Sequence, residues 1–113
     1  MTSFELERDH VGPGWQPIIE KLHAELLKID PDYEVDQIKE KFGELRYYHH
    51  TELTQPAVHD TMNKLVEDAA QASAKTCEYC GQPAKTKIHQ GWYKTLCDNC
   101  GKVRKASREA TAK

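Results

Sequence analysis

The spacing of apolar residues predicts a first helix over residues 16–29. Side chains that recur every three or four positions lie on one face of an α-helix. The stripe consists of Ile18, Ile19, Leu22, Leu26 and Ile29. Pro17 is tolerated in the first turn, and Asp30-Pro31 ends the helix because the residue before a proline is disfavoured in helical conformation. Residues 1–14, up to the breaker Gly12-Pro13-Gly14, are then expected to form a lead-in.

The next stretch, residues 33–50, alternates in two runs and predicts a β-hairpin. Tyr33 and Val35 alternate in the first run, and Gly43 lies between the two runs. The second run alternates at Leu45, Tyr47 and His49. A helix through residues 34–41 competes with this interpretation, since Val35, Ile38 and Phe42 also fit a helical period.

A second apolar stripe, at steps of four and three, predicts a second helix. The stripe consists of Val58, Met62, Leu65, Ala69 and Ala72. Thr54 is a suitable N-cap, and Pro56 fits the first turn. The helix should run almost to Lys75 and deliver the chain directly into Cys77. We therefore expect the segment that follows to pack against this second helix.

Four cysteines carry the strongest chemical signal in the chain. They form two C-x2-C pairs separated by sixteen residues, a spacing typical of zinc ribbons. The four are Cys77, Cys80, Cys97 and Cys100. A glycine follows each pair, at Gly81 and Gly101, where a residue without Cβ can take positive φ as the backbone turns around the metal. Four thiolates in a tetrahedron leave no open position, so we expect one structural Zn²⁺ ion.

Other interpretations of the cysteines fit less well. Two disulfides would suit a secreted mini-protein, but MTSFELERDH lacks the apolar core of a signal peptide, and we expect a cytoplasmic chain with reduced thiols. A redox dithiol normally has a single pair beside a βαβ pattern. Iron in the same cage is the main alternative metal. No run approaches the roughly 18 apolar residues of a membrane span, so no membrane partner is expected.

Together these elements predict an α+β fold, a helix–β-hairpin–helix body followed by a four-cysteine zinc-ribbon hairpin. The expected organisation is a lead-in over residues 1–14, an acidic body over 15–76, a ribbon over 77–101 and a basic C-terminal tail over 102–113. Strands at 84–89 and 92–96 would form the ribbon hairpin. A segment of about 30 residues cannot bury enough surface to fold alone, so removing the metal should unfold the ribbon.

Charge divides the chain into two parts. Residues 1–76 hold 15 acidic and 8 basic side chains, a balance of −7, whereas residues 77–113 hold 3 acidic and 8 basic, a balance of +5. Basic edges with aromatic rings that could stack on bases predict nucleic-acid or partner binding. The predicted binding residues are Lys85, Lys87, His89, Trp92, Tyr93, Lys94, Lys102, Arg104 and Lys105. In the competing interpretation Trp92 covers the zinc knuckles or packs on the second helix.

No catalytic site is predicted. HNH nucleases also flank a metal core with two C-x2-C pairs, but that core needs several histidines, and the segment between the pairs here contains only His89. His49-His50 and His59 could be imagined as a second metal site, yet neighbours on a strand point to opposite faces. No serine or cysteine nucleophile has an evident base. A degenerate HNH-like metal-dependent nuclease is therefore the least favoured function.

Three segments together resemble a known group of proteins. They are Gly14-Trp15-x-Pro17-Ile18, the run from Lys39 to Tyr48 (KEKFGELRYY), and Cys77–Cys100 with its internal GWYKTLC. In this order they are similar to small, largely uncharacterised proteins encoded by bacteriophages and prophages. The resemblance covers residues 14–100 and implies a protein of the host bacterial cytoplasm, with no assigned activity and no catalytic residue to carry over.

The sequence therefore predicts a non-enzymatic zinc-ribbon protein that engages nucleic acid or the machinery that handles it. The alternative is a phage-encoded modulator or inhibitor that binds a host protein through the acidic body, because small phage proteins often act on host machinery. No small-molecule substrate is expected.

Overall fold

Helices and two small antiparallel hairpins alternate along the chain in the computed structural model, which describes residues 2–89, of His89 the backbone only, and residues 91–102. The helices are α1 (Ser3–Glu7), α2 (Gln16–Ile29) and α3 (Pro56–Ser73), with 3-10 turns at Arg8–His10 and Pro13–Trp15. The strands are β1 (Glu34–Lys41), β2 (Glu44–His50), β3 (Lys85–His89) and β4 (Trp92–Leu96). Among the described residues, strand β1 pairs with β2 and strand β3 pairs with β4, each pair forming a separate two-stranded sheet. The predicted α+β class is confirmed.

One hydrophobic core joins α2, α3 and the inner face of the β1–β2 hairpin. The apolar stripe of α2 reaches it through Ile19 and Leu26, which are both 0% exposed. The other central side chains are Trp15, Leu22, Val35, Ile38, Leu45, Tyr47 and Met62. Side chains from the predicted apolar stripes of both helices therefore meet in one core. Burial of this apolar surface is the main favourable term in folding.

The segment expected as a lead-in contributes to this core. Thr2 caps α1 by accepting a hydrogen bond from the Glu5 backbone N–H at 3.2 Å. Phe4 is 4% exposed and its ring stacks on His23 with centroids 4.0 Å apart. Val11 is buried as well. The segment has two apolar anchors and no periodic stripe, so the one local signal for α1 is the capping-box pattern of Thr2 and Glu5, which the expectation of a lead-in missed.

A β-bulge explains why the first hairpin has two possible interpretations in the sequence. Val35 pairs with His49, but the next pair joins Gln37 to Tyr48, so Asp36 is an extra residue. The bulge lets Val35 and Ile38, three positions apart, both face the core at 5% and 0% exposure. A spacing of three imitates a helical period. The hairpin prediction is confirmed, and the competing helix over residues 34–41 is wrong.

The N-cap of helix α3 lies one residue later than predicted. Gln55 is the N-cap, with φ −70° and ψ 125°, because the residue before Pro56 is held in extended conformation; Thr54 is not the cap. Met62 and Ala69 are buried as predicted, but the last buried position is Ser73, not Ala72. In the described part of the chain no helix combines the length and apolar character needed to cross a membrane.

The ribbon, residues 77–101, docks on two parts of the body, which we take as residues 2–73. At one place, the Gly14 N–H donates to the carbonyl of Glu78 at 2.7 Å, and the Trp15 indole N–H donates to the carbonyl of Thr76, just before the ribbon, at 2.8 Å. At the other place, the Lys94 ammonium lies 2.5 Å from the Glu40 carboxylate beside the β1–β2 turn. The sequence predicts packing on the second helix; the structure instead places the ribbon against the Gly12–Trp15 segment and the β1–β2 turn.

Candidate metal centre and the surfaces around it

The four predicted cysteines converge on one point. Their Sγ atoms all lie within 4.8 Å of one another, and those of Cys80 and Cys97 are 3.5 Å apart. A tetrahedron with metal–sulfur bonds of about 2.3 Å has edges of about 3.8 Å. All four are free thiols, with Cys77 buried and Cys80 exposed. The donor set and its spacing fit one metal ion bound by four thiolates.

The two knuckles are built differently. In the first, the Gly81 N–H donates to the Cys77 carbonyl at 3.0 Å, and Gly81 has φ +80°, as predicted for a turn around a metal. In the second, residues 98–102 are helical, and the Gly101 N–H donates to the Cys97 carbonyl at 2.9 Å. Gly101 therefore has no positive φ. The prediction of a left-handed glycine holds for the first knuckle and is wrong for the second.

The thiols perturb one another's ionisation. Burial raises the pKa of Cys77, but backbone N–H donors from Cys97, Cys80 and Tyr79 outweigh it and lower the value to about 6. Burial, and then hydrogen bonding to the other three thiols, raises the pKa of Cys100. One thiolate is thus stabilised while a neighbour holds its proton. A divalent cation among them would supply the positive charge that lets every ligand ionise.

Two glycines of the body form the surface on which the first knuckle packs. The Gly14 N–H donates to the Glu78 carbonyl at 2.7 Å, and the Gly12 N–H donates to the Glu78 carboxylate at 3.1 Å. A Cβ on Gly14 would lie 2.1 Å from the Cys77 carbonyl oxygen. Sequence reasoning missed this role because it interpreted Gly12-Pro13-Gly14 only as a breaker. Glu78, 8% exposed, was missed too.

The two aromatic residues among the predicted binding residues lie on opposite faces of the β3–β4 hairpin. Trp92 pairs with His89, and Tyr93 pairs with Ile88. Consecutive strand residues point to opposite sides of a sheet. Trp92 is 62% exposed, so the interpretation in which it covers the knuckles or packs on the second helix is wrong. Tyr93 is 50% exposed and its ring meets Phe42, with centroids 6.1 Å apart.

The predicted basic residues divide into two groups. Lys85, Lys87 and Lys102 are exposed, with the Lys87 ammonium 3.5 Å from the Asp98 carboxylate. Lys94 instead forms the half-buried ion pair with Glu40, so its charge is used in docking the ribbon. The side chain of His89, and Arg104 and Lys105, lie outside the described residues.

Histidines away from the cysteines have other partners. His50 Nδ1 lies 2.6 Å from the Asp36 carboxylate, and His59 Nε2 donates to the Leu53 carbonyl at 2.6 Å. The His49 ring packs edge-on against Tyr33. Within the part of the chain that the structure describes, the four cysteines are the single group of three or more His, Cys, Asp or Glu side chains that could hold a metal.

Comparison of the chain with family models, with curated proteins and with solved structures finds no match.

Proposed function

We propose that this chain is a non-enzymatic zinc-ribbon protein that binds nucleic acid through one face of the β3–β4 hairpin. The observation that carries the proposal is the exposed Trp92 on the same face as the exposed Lys85 and Lys87. Side chains two apart on a strand, and directly paired across two strands, share a face. An aromatic ring flanked by cations offers stacking to a base and charge to a phosphate.

The proposed metal is one structural Zn²⁺. Thiolate ligands select zinc, copper(I) and iron, and zinc is the usual occupant of a tetrahedral four-cysteine site with two C-x2-C knuckles. Since all four positions are taken by sulfur, none is open to water or substrate. In this proposal the ion holds the two knuckles together at the base of the hairpin, and so keeps Lys85, Lys87 and Trp92 in place.

The test measures binding of fluorescein-labelled 20-mers, as single strand and as duplex, to the zinc-loaded protein by anisotropy between 50 and 200 mM salt. A phosphate-contacting protein loses affinity steeply over this range. We expect Lys85→Gln with Lys87→Gln to weaken binding and to reduce the salt dependence. Lys21→Gln with Lys28→Gln, on exposed positions of α2, removes the same charge elsewhere. Equal loss in both double variants, or no binding at all, would contradict the proposal.

A second candidate is capture of a host protein by the acidic body of a phage-encoded modulator. A groove of about 390 Å³ between α2 and α3 favours it. Its floor is apolar and its rim carries charge from both helices. The lining includes Ile18, Leu22, Leu65, Ala69, Lys21, Glu25 and Asp68. A pull-down from bacterial lysate distinguishes the candidates, because recovery of one protein that nuclease treatment does not release would favour this mode.

A further inference from the structure

The outer face of the β1–β2 hairpin is basic towards its turn, although the body as a whole is acidic. Strand pairing puts Lys39 opposite Arg46, and Lys41 opposite Glu44. These positions alternate with the core-facing Ile38, so they lie on the other side of the hairpin. Between Tyr48 and the turn, three basic side chains therefore share this face with one carboxylate, whereas Glu34, paired with His50, lies at the far end of the same face.

The cations on this face lie beside aromatic rings and are weakly paired with acid. The Lys39 ammonium is 5.9 Å from the centre of the Tyr48 ring, and that ring is 46% exposed. The Arg46 guanidinium approaches Glu44 only to 3.8 Å. Its Nε is buried and has no acceptor among the described residues, while the side chain as a whole is 39% exposed. The exposed end of a guanidinium can donate to two oxygens of one phosphate at once.

Phe42 extends this face to the ribbon. It occupies the β1–β2 turn with φ +56°, a left-handed conformation in which a bulky residue is an outlier, whereas asparagine or glycine is usual there. Its ring is 62% exposed, with the Lys41 ammonium 5.5 Å from the ring centre. Backbone strain of this kind clusters at functional sites. The turn thus holds an exposed ring in a conformation that asparagine or glycine adopts at lower cost.

Aromatic and basic side chains also lie on the ribbon, where the β3–β4 hairpin approaches the β1–β2 turn. Phe42 contacts Tyr93 edge to face, and a cleft of about 420 Å³ opens between the β1–β2 turn and the β3–β4 hairpin. Its lining combines aromatic rings with lysines. The lining consists of Glu40, Lys41, Phe42, Gly91, Trp92, Tyr93 and Lys94. An exposed ring of the body and an exposed ring of the ribbon therefore meet at this junction.

We propose that the outer face of β1–β2, from Tyr48 to Phe42, binds the unpaired bases of a single-stranded nucleic acid. Phe42 and Tyr48 supply the stacking rings, and Lys39, Lys41 and Arg46 supply the charges for the phosphates. The proposal rests on the proposed function and deepens it, because it names the strandedness of the ligand and adds a surface of the body. Bases in a duplex are already stacked and paired, so exposed rings select single strands.

The experiment uses the full zinc-loaded chain with fluorescein-labelled dT12, U12 and a 12-bp duplex. Phe42→Asn removes the ring and suits positive φ better than phenylalanine, so a loss of binding cannot be assigned to a strained turn. We expect dT12 and U12 affinity to fall by between about 5-fold and about 150-fold, the range for one base on one ring. Leu6→Asn, which removes another exposed apolar side chain at 60% exposure, is the matched control and should change nothing.

A second variant tests the charges independently of the turn. Lys39→Gln with Lys41→Gln should reduce the slope of log affinity against log salt by about 1.4, the value for two phosphates of a single strand. Preference for dT12 or U12 then distinguishes DNA from RNA as the source of the strand, and either result supports the proposal.

The outcomes separate this inference from the function it rests on. Loss of binding only in the Lys85→Gln, Lys87→Gln protein, with Phe42→Asn and the Lys39, Lys41 variant unchanged, would overturn the inference and leave the proposed function standing. Duplex bound as tightly as dT12 would also overturn it. Binding of a fluorescein-labelled acidic peptide, with no oligonucleotide bound, would overturn both.

Discussion

The body and the ribbon are stabilised by different means. The body buries large apolar side chains completely, among them Trp15, Ile19 and Ile38 at 0% exposure. In the described part of the ribbon the buried apolar residues are Cys77 and Leu96, while its other large apolar side chains are exposed. Ile88, Trp92 and Tyr93 are 63%, 62% and 50% exposed.

This difference shows where each region obtains its free energy of folding. Burial of apolar surface stabilises the body. The ribbon has too little of it; a metal ion bound by its four converging thiols would stabilise it, as do hydrogen bonds to the body. Because few of the ribbon's side chains are buried, its aromatic rings and several of its lysines are accessible to a ligand. Variants that perturb the metal site, the contact between the two regions and the core of the body test this difference one source of stability at a time.

Metal removal should have the largest effect. We expect excess chelator, or Cys97→Ser, to unfold residues 77–101 while α2, α3 and the β1–β2 hairpin persist, because structural zinc contributes roughly 10–16 kcal/mol to comparable small modules. Amide hydrogen exchange measures both regions in one sample. Asp98→Asn, at a knuckle residue that is not a ligand, is the control and should keep the metal. If the amides of the ribbon stayed protected from exchange without metal, the ribbon would not depend on the metal for its stability.

Gly14→Ala should have the next largest effect, on the contact between the two regions. The new Cβ would lie 2.1 Å from the Cys77 carbonyl oxygen and 2.5 Å from the Gly81 nitrogen, both backbone atoms that cannot move away cheaply. We expect a loss of about 3 kcal/mol in the free energy of unfolding. Metal affinity should fall as well, and the Trp15 indole N–H signal should shift as its bond to Thr76 is broken.

The control for this change is Gly91→Ala. A Cβ on Gly91 meets nothing within 4 Å, so this variant suffers only the strain of its positive φ. The Trp15 signal and the metal affinity should stay as in the parent protein. If Gly14→Ala and Gly91→Ala had the same effects, the packing of the first knuckle on Gly14 would not contribute specifically to stability or metal affinity.

Acid should destabilise the body by a smaller amount, through His23. Burial lowers the pKa of His23 from 6.5, nearby Arg8 lowers it further, and Glu5 acts in the opposite direction. The unfolded chain therefore takes up this proton first as the pH falls. The stability contributed by neutral His23 is present above pH 6.5 and is lost below it, towards the lowered pKa of the folded state.

His23→Phe should flatten this dependence, since it keeps the stack on Phe4 and removes the titration. Denaturant unfolding of the body between about pH 5 and 7.5, followed by the amide signals of α1 and α2, measures it. His59→Phe, at an exposed histidine of α3, is the control and should keep the loss seen in the parent protein. An unchanged slope in His23→Phe would exclude His23 as the cause.

Periodic local features were predictable from the sequence, and contacts between distant segments were not. Helix α2 lies over residues 16–29 as predicted, because its stripe and its flanking prolines act within one or two turns. The packing of Phe4 on His23 left no trace in any local pattern. The bulge at Asp36 imitated a helical spacing and made the hairpin ambiguous.

The sequence by itself determined the candidate metal centre, because a knuckle is a local structure whose ligands are set by spacing along the chain. Only the tertiary structure decided which surfaces that centre supports. Strand pairing placed Trp92 and Tyr93 on opposite faces and brought Lys39 beside Arg46, although the balance of residues 1–76 is −7. A net charge averages over every face of a molecule, whereas a ligand meets one face at a time.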